Sequence, residues 1–129
     1  MTDVFIASAP EDNDRVYLLS QALRSHGITV AFDDGGPADP TTAKHLAQAR
    51  TTAPCWLAAW SRPSVARETL TLQGLDALRR GVLVQIVLDP GGAAPPPLRH
   101  VPAFDLSPWD GSLDAPIVLA LVEAADHMR

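Results

Sequence analysis

The sequence predicts an α/β fold: a flavodoxin-like, doubly wound sheet of about five parallel strands in the order 2-1-3-4-5, with helices on both faces. Three observations predict it. Short, wholly apolar runs recur along the chain, as strands buried on both faces require. Segments with helical apolar spacing separate them, which makes the runs neighbours in a parallel sheet. The 129 residues, 47% of them apolar, suffice for one core, so a single domain over residues 1–129 is expected.

The first run is "DVFIAS", Asp3 to Ser8, broken by Pro10 and the acids Glu11 and Asp12. "NDRVYLLSQALRSHG" then sets Val16, Leu19 and Leu23 on one helical face, with Tyr17 a further candidate; Asp12 or Asn13 is the expected N-cap and Gly27 the C-terminal stop. "ITVAF", Ile28 to Phe32, is the second strand, and "DDGGPADP" is a turn-rich loop whose paired glycines read as a tight turn more than as a phosphate cradle. Asp39 and Pro40 form an N-cap and first-turn pair for a helix through "TTAKHLAQARTT". "CWLAAW", Cys55 to Trp60, and "VLVQIVL", Val82 to Leu88, are the next strands, with Trp56 and Trp60 expected in the core.

Between those two strands, "SRPSVARETLTLQGLDALRRG" reads as a polar loop running into a helix that stops at Gly81. The glycines and prolines of "PGGAAPPPLRHVP" exclude regular structure, and "AFDLSPWDG" offers a short edge strand, with Trp109 placed to pack the last loop onto the sheet. A closing helix starts near Pro116, with Ile117, Leu119, Leu121, Val122 and Ala125 apolar. In such sheets ligands meet the strand C-termini at the switch point between strands 1 and 3. That gathers Ala7 to Asp12, the loop Asp33 to Asp39, and Ser61 to Gln73 around one crevice.

Composition excludes several functions. A net charge of −5 with only 10 Lys and Arg disfavours nucleic acid and membrane surfaces as partners. No run approaches the roughly 20 apolar residues of a membrane span, and no basic and apolar leader follows Met1, so a cytoplasmic location is expected. The one cysteine, Cys55, sits in an apolar strand and reads as buried and unreactive. His26, His45, His100 and His127 have no ligand spacing, so no metal site is expected. Ser61 and Ser64 lie in no nucleophile elbow. A phosphorylation receiver would need an Asp ending strand 3 and a Lys after a later strand, whereas strand 3 ends Trp60-Ser61 and the only lysine is Lys44.

Taken together, the residues resemble Toll/interleukin-1 receptor (TIR) domains, specifically their bacterial branch. "DVFIASAPEDND" is similar to that family's first strand and acid-rich turn, with Ser8 where a Tyr is common. Phe32-Asp33 resembles the end of its second strand, Trp60-Ser61 the end of its third, and "VLVQIVLDPGGAAPPPLRHVPAFDLSPWDG" its fourth strand, Pro-rich loop and Asp-Leu-x-x-Trp ending. The likeness spans nearly the whole chain.

The resemblance implies association with other TIR domains or with a partner protein, and NAD+ as substrate or ligand with no tightly bound cofactor. Many members of this branch break the bond between nicotinamide and ribose, and one glutamate steadies the positive charge that builds on the ribose. Counted from Ser61, that glutamate falls on Gln73; Gly81, eight residues on, keeps the family's register. On the same resemblance Ser8, Ala9, Phe32, Asp33, Trp60 and Ser61 are the expected ligand-binding positions.

Arg67 in place of a small residue, Thr69 in place of Trp, and a second-strand loop without hydrophobic residues are further departures. Three readings of Gln73 stand. It marks a domain whose catalysis is lost, or a Glu-to-Gln form of an NAD+-cleaving effector, or a local shift that hands the role to Glu68.

Overall fold

The computed structural model describes residues 2–33 and 39–128. Five strands, β1 (Val4–Ala7), β2 (Val30–Phe32), β3 (Cys55–Trp60), β4 (Leu83–Val87) and β5 (Ala103–Asp105), form one sheet in the order β2-β1-β3-β4-β5. Every pairing is parallel, with Ile6 beside Phe32 and Leu57, and Val87 beside Trp60 and Asp105. The helices are α1 (Asn13–Ser25), α2 (Pro40–Thr52), a short α3 (Arg62–Val65), α4 (Glu68–Arg79) and α5 (Pro116–Met128). The predicted topology is the observed one.

Side chains on a strand alternate between faces, so each central strand feeds two cores. Val4, Ile6, Leu57 and Ile86 join Val16 and Leu19 of α1 and Leu121 of α5 on one side. Phe5, Trp56, Trp60 and Leu83 join Ala49 of α2 and Ala77 of α4 on the other. All six residues of β3 are buried, which is why its run carries no polar residue.

The punctuation expected of the helices is largely present. The Asp39 carboxylate accepts from the Thr42 amide at 2.7 Å and caps α2. Gly27 (φ 83°) and Gly81 (φ 76°) adopt the left-handed conformation after α1 and α4. In each case the next amide reaches back, Ile28 to the Leu23 carbonyl and Val82 to that of Ala77, closing the last turn.

Several expectations are corrected. Asp12 holds the expected N-cap position of α1 but makes no side-chain capping hydrogen bond: Pro10–Asp12 form a 3₁₀ turn leading into the helix, and the Asp12 carboxylate points inward and is 2% exposed. The stretch after β3 is not a plain loop, because Ser61 and Ser64 form a reciprocal capping box that nucleates α3. Within the Pro-rich segment Pro96–Leu98 make a 3₁₀ turn that sends Leu98 fully into the core. Tyr17 and Leu119 are about half exposed, outside the apolar faces assigned to them. The glycines of "DDGGPADP" fall at residues 34–38, outside the described residues.

Candidate functional site

Beyond the C-terminal end of β1, at the switch point of the sheet, lies a cavity of about 430 Å³. Phe5, Ile6 and Ala7 of β1 and Leu70 of α4 form its apolar walls; Ser8, Asp33, Arg50, Arg67 and Gln73 supply its polar groups. A second cavity of about 540 Å³ continues between α2 and α4 and shares Arg50, Thr69 and Gln73. Both fall in the size range of small-molecule sites.

Gln73 sits one turn into α4 and lines both cavities, and its amide has no hydrogen-bond partner among the described residues. Ser8 and Asp33 line the first cavity with it. Glu68, the first residue of α4, does not. Five residues turn a helix by about 500°, so Glu68 points about 140° away from Gln73 and sits where its charge meets the helix N-terminus.

The other expected positions lie elsewhere. Ala9 is fully buried, and Phe32 packs against the α1 and α5 core. Trp60 is buried too, its indole N–H donating to Gln85 Oε1 at 2.9 Å, while the Gln85 amide donates to the carbonyls of Leu98 and Val101. Ser61 and Trp60 instead line a small cavity of about 140 Å³ beside Asp89.

Past the C-terminal ends of β1, β3 and β4 the chain is tied together by charge. Arg15 donates to both Asp12 and Asp89, the latter at 2.8 Å, and to the Leu88 carbonyl at 3.1 Å. Ser61 Oγ donates to the other Asp12 oxygen, and the Arg62 amide donates to Asp89 Oδ2 at 2.8 Å. The Arg62 amide and then the Arg15 guanidinium hold the Asp89 carboxyl below its usual range. Arg67, in the turn between α3 and α4, pairs with Glu11 at 3.0 Å. The exits of β1, β3 and β4 and the start of α4 are thereby fixed to one another.

Sequence reasoning missed Arg15 and Asp89, whose partners are distant in the chain, and Arg50. An arginine in the last turn of a helix is ordinarily read as a complement to the helix dipole. Cys55 is buried, and burial pushes its thiol up to about 12, which leaves it unreactive. Among the described residues no group of His, Cys, Asp and Glu could hold a metal ion, and no helix is long and apolar enough to cross a membrane.

A parallel 2-1-3-4-5 sheet with its crevice between β1 and α4 is the architecture expected from the TIR resemblance. The family model described as TIR domain matches residues 4–117. The chain belongs to the TIR domain family.

Solved TIR structures share its fold. The TIR domain of a Toll-related receptor from Hydra magnipapillata superposes with a TM-score of 0.74 at 21% identity, covering 98% of this chain and 99% of that one. A metazoan TIR-STING receptor from C. gigas, in complex with 2',3'-cGAMP, gives 0.73 at 19% identity over 97% of this chain. This TIR domain spans 39% of that receptor's length. No curated protein matches the chain in sequence.

Proposed function

We propose that this TIR domain is a signalling and assembly module of a bacterial immune or stress-response protein, acting in the cytoplasm through contacts with other TIR domains or a partner protein, and that NAD+ cleavage is lost in it. The observation that carries the reading is Gln73 on the wall of the cleft, with Glu68 turned away from it. Breaking the nicotinamide–ribose bond builds positive charge on the ribose, and a carboxylate at this point stabilises it through its full negative charge. An amide matches the carboxylate in shape and supplies only a dipole. Losing one such preorganised group typically slows a reaction by about 10²–10³-fold.

The cleft's other charges act in the same direction. Arg50 and Arg67 both line it, and cations there raise the energy of an oxocarbenium ion. The second reading, an NAD+ nucleosidase effector seen as a Glu-to-Gln form, is favoured by the cleft itself, since Ser8, Asp33 and position 73 still converge on one cavity of ligand size.

The test is nicotinamide release from NAD+ by the parent, Gln73→Glu and Glu68→Ala, at high protein concentration so that assembly is not limiting. The parent is expected to be at background and Gln73→Glu about a hundredfold above it. Release by the parent that vanishes in Glu68→Ala would move the catalytic role to Glu68 and end the reading. If no variant releases nicotinamide, assembly remains the function, with the cleft altered at more than one residue.

A further inference from the structure

The sheet has two edges, and the molecule treats them differently. At the β2 edge the Thr29 carbonyl takes the Val4 amide, which turns Val30 outward, and the outward Val30 carbonyl accepts from Arg24 Nη2 at 3.0 Å. An arginine of α1 thus covers that edge. At the β5 edge the Leu106 amide donates to the Val87 carbonyl at 2.8 Å, so in the parallel register Phe104 and Leu106 bond toward β4. The N–H and C=O of Ala103 and Asp105 therefore point away from the sheet. Both residues are exposed, and among the described residues these groups have no hydrogen-bond partner.

Beside this open edge lies a cavity of about 400 Å³, and Val87, Ala94, Arg99, Val101, Ala103 and Asp105 are among the residues that line it. Phe104 packs toward the α1 and α5 core, so the side chains of Ala103 and Asp105 face the side on which the cavity lies. Arg99 Nε donates to the Ala94 carbonyl at 2.9 Å, which fixes the plane of the guanidinium. Among the described residues Arg99 makes no other bond and no ion pair, unlike Arg15, Arg67, Arg79 and Arg80. The segment that carries it is held in place, because the buried Gln85 amide donates to the carbonyls of Leu98 at 3.3 Å and Val101 at 3.2 Å.

We propose that the β5 edge takes an extended segment of a partner protein as a sixth strand, and that this segment carries a carboxylate which pairs with Arg99. The main-chain groups of Ala103 and Asp105 bind any extended backbone, and the cavity selects among the side chains, since alternate ones stand over it. The two free guanidinium nitrogens of Arg99 match both oxygens of one carboxylate. Asp105 favours a basic residue at the neighbouring position on the same face. A second copy of this chain fits poorly, because pairing two β5 edges brings together two Asp105 carboxylates and two chains of net charge −5. The inference rests on the reading of this domain as an assembly module and deepens it by naming the docking edge.

An NMR titration of the amide-labelled domain tests it, with the end-blocked peptide Thr-Val-Glu-Val-Lys-Thr as probe. The peptide is expected to bind with Kd below about 1 mM, with the largest shifts at the amides of Ala103 and Asp105 and slowing of their hydrogen exchange by about tenfold at saturation. Gln in place of the peptide's Glu, or Arg99→Ala in the domain, should each weaken binding about tenfold. Methylating alternate peptide nitrogens should abolish it, since the side chains stay and the strand's donors go. Ala103→Pro removes an N–H that bonds to nothing in the free domain, so it should keep the parent's Tm and lose about tenfold in affinity.

Absence of shifts at Ala103 and Asp105, or equal binding of the methylated peptide, would overturn the proposal. Parental affinity in a folded Arg99→Ala protein would overturn its carboxylate. Exchange protection of Ala103 and Asp105 that rises with the concentration of the free domain would give the edge to a second copy and overturn the partner segment. The two readings fail separately: loss of peptide binding removes only this edge, and nicotinamide release by the parent leaves the edge standing.

Discussion

Asp12 is where one residue holds the most structure together. Its carboxylate, 2% exposed, accepts from Arg15 and from Ser61 Oγ, so one side chain joins the turn after β1 to α1 and to the cap of α3. Removing it leaves the Ser61 hydroxyl without that acceptor and Arg15 with Asp89 alone. Breaking a fully buried ion pair costs several kcal/mol, but the Arg15 side chain is 42% exposed and water compensates part of the loss. Asp12→Ala is expected to cost about 2 kcal/mol in urea unfolding, against about 0.5 kcal/mol for Asp14→Ala, an exposed acid in the first turn of α1. Equal midpoints for the two variants would show that the network carries no stability. Asp12 also marks a limit of reading the chain. The Asp39 cap is legible because its partner lies three residues on, whereas Asp12 meets Ser61 across 49 positions and its Arg15 partner meets Asp89 across 74.

In α4, packing decides what propensity does not. Gly74 inside a helix reads as a weakness of about 1 kcal/mol relative to alanine. The structure supplies its reason: a Cβ there would stand 2.8 Å from Leu98 Cδ1 and 3.6 Å from Trp60 Cζ2. The missing side chain lets α4 lie close on the sheet, and that closeness carries its neighbour Gln73 to the cleft wall. Leu98 is fully buried and has little room to yield, so Gly74→Ala is expected to destabilise by about 1 kcal/mol net, the overpacking exceeding the gain in helix propensity. In a Leu98→Ala background the same change should instead stabilise by about 0.5 kcal/mol, because the clash is gone and the propensity gain remains. A double-mutant cycle by urea denaturation reads the change of sign. The contact itself was hidden in the sequence, since the prolines around Leu98 exclude long helices and strands but say nothing about which of their neighbours is buried.

At the scale of the molecule, alternation of apolar strands with amphipathic helices leaves few topologies, and the order 2-1-3-4-5 followed from it along with the place of the cleft at the switch point. What the periodicities could not convey was the sign of the cleft's charge, because Arg50 and Arg67 reach it from different elements. The same scale governs association. Among the described residues the large exposed apolar side chains are scattered, Tyr17 and Leu18 on α1 and Leu119 on α5 on one face of the sheet, Leu72 on α4 on the other, and Leu113 in the loop before α5. A stable interface needs about 1,200–2,000 Å² with an apolar centre, and two copies each carrying −5 repel at low salt. The loop after β2, which the resemblance makes a docking element, contains no bulky side chain between Asp33 and Pro40. The isolated domain is therefore expected to scatter light as a 13.7 kDa monomer at about 10 μM. Weak association should appear as concentration or salt rises. Contacts this weak become effective when domains are tethered side by side, since short linkers raise the local concentration to about millimolar. A stable dimer of the free domain at micromolar concentration would place the driving force within the domain's own surface and remove the need for tethering.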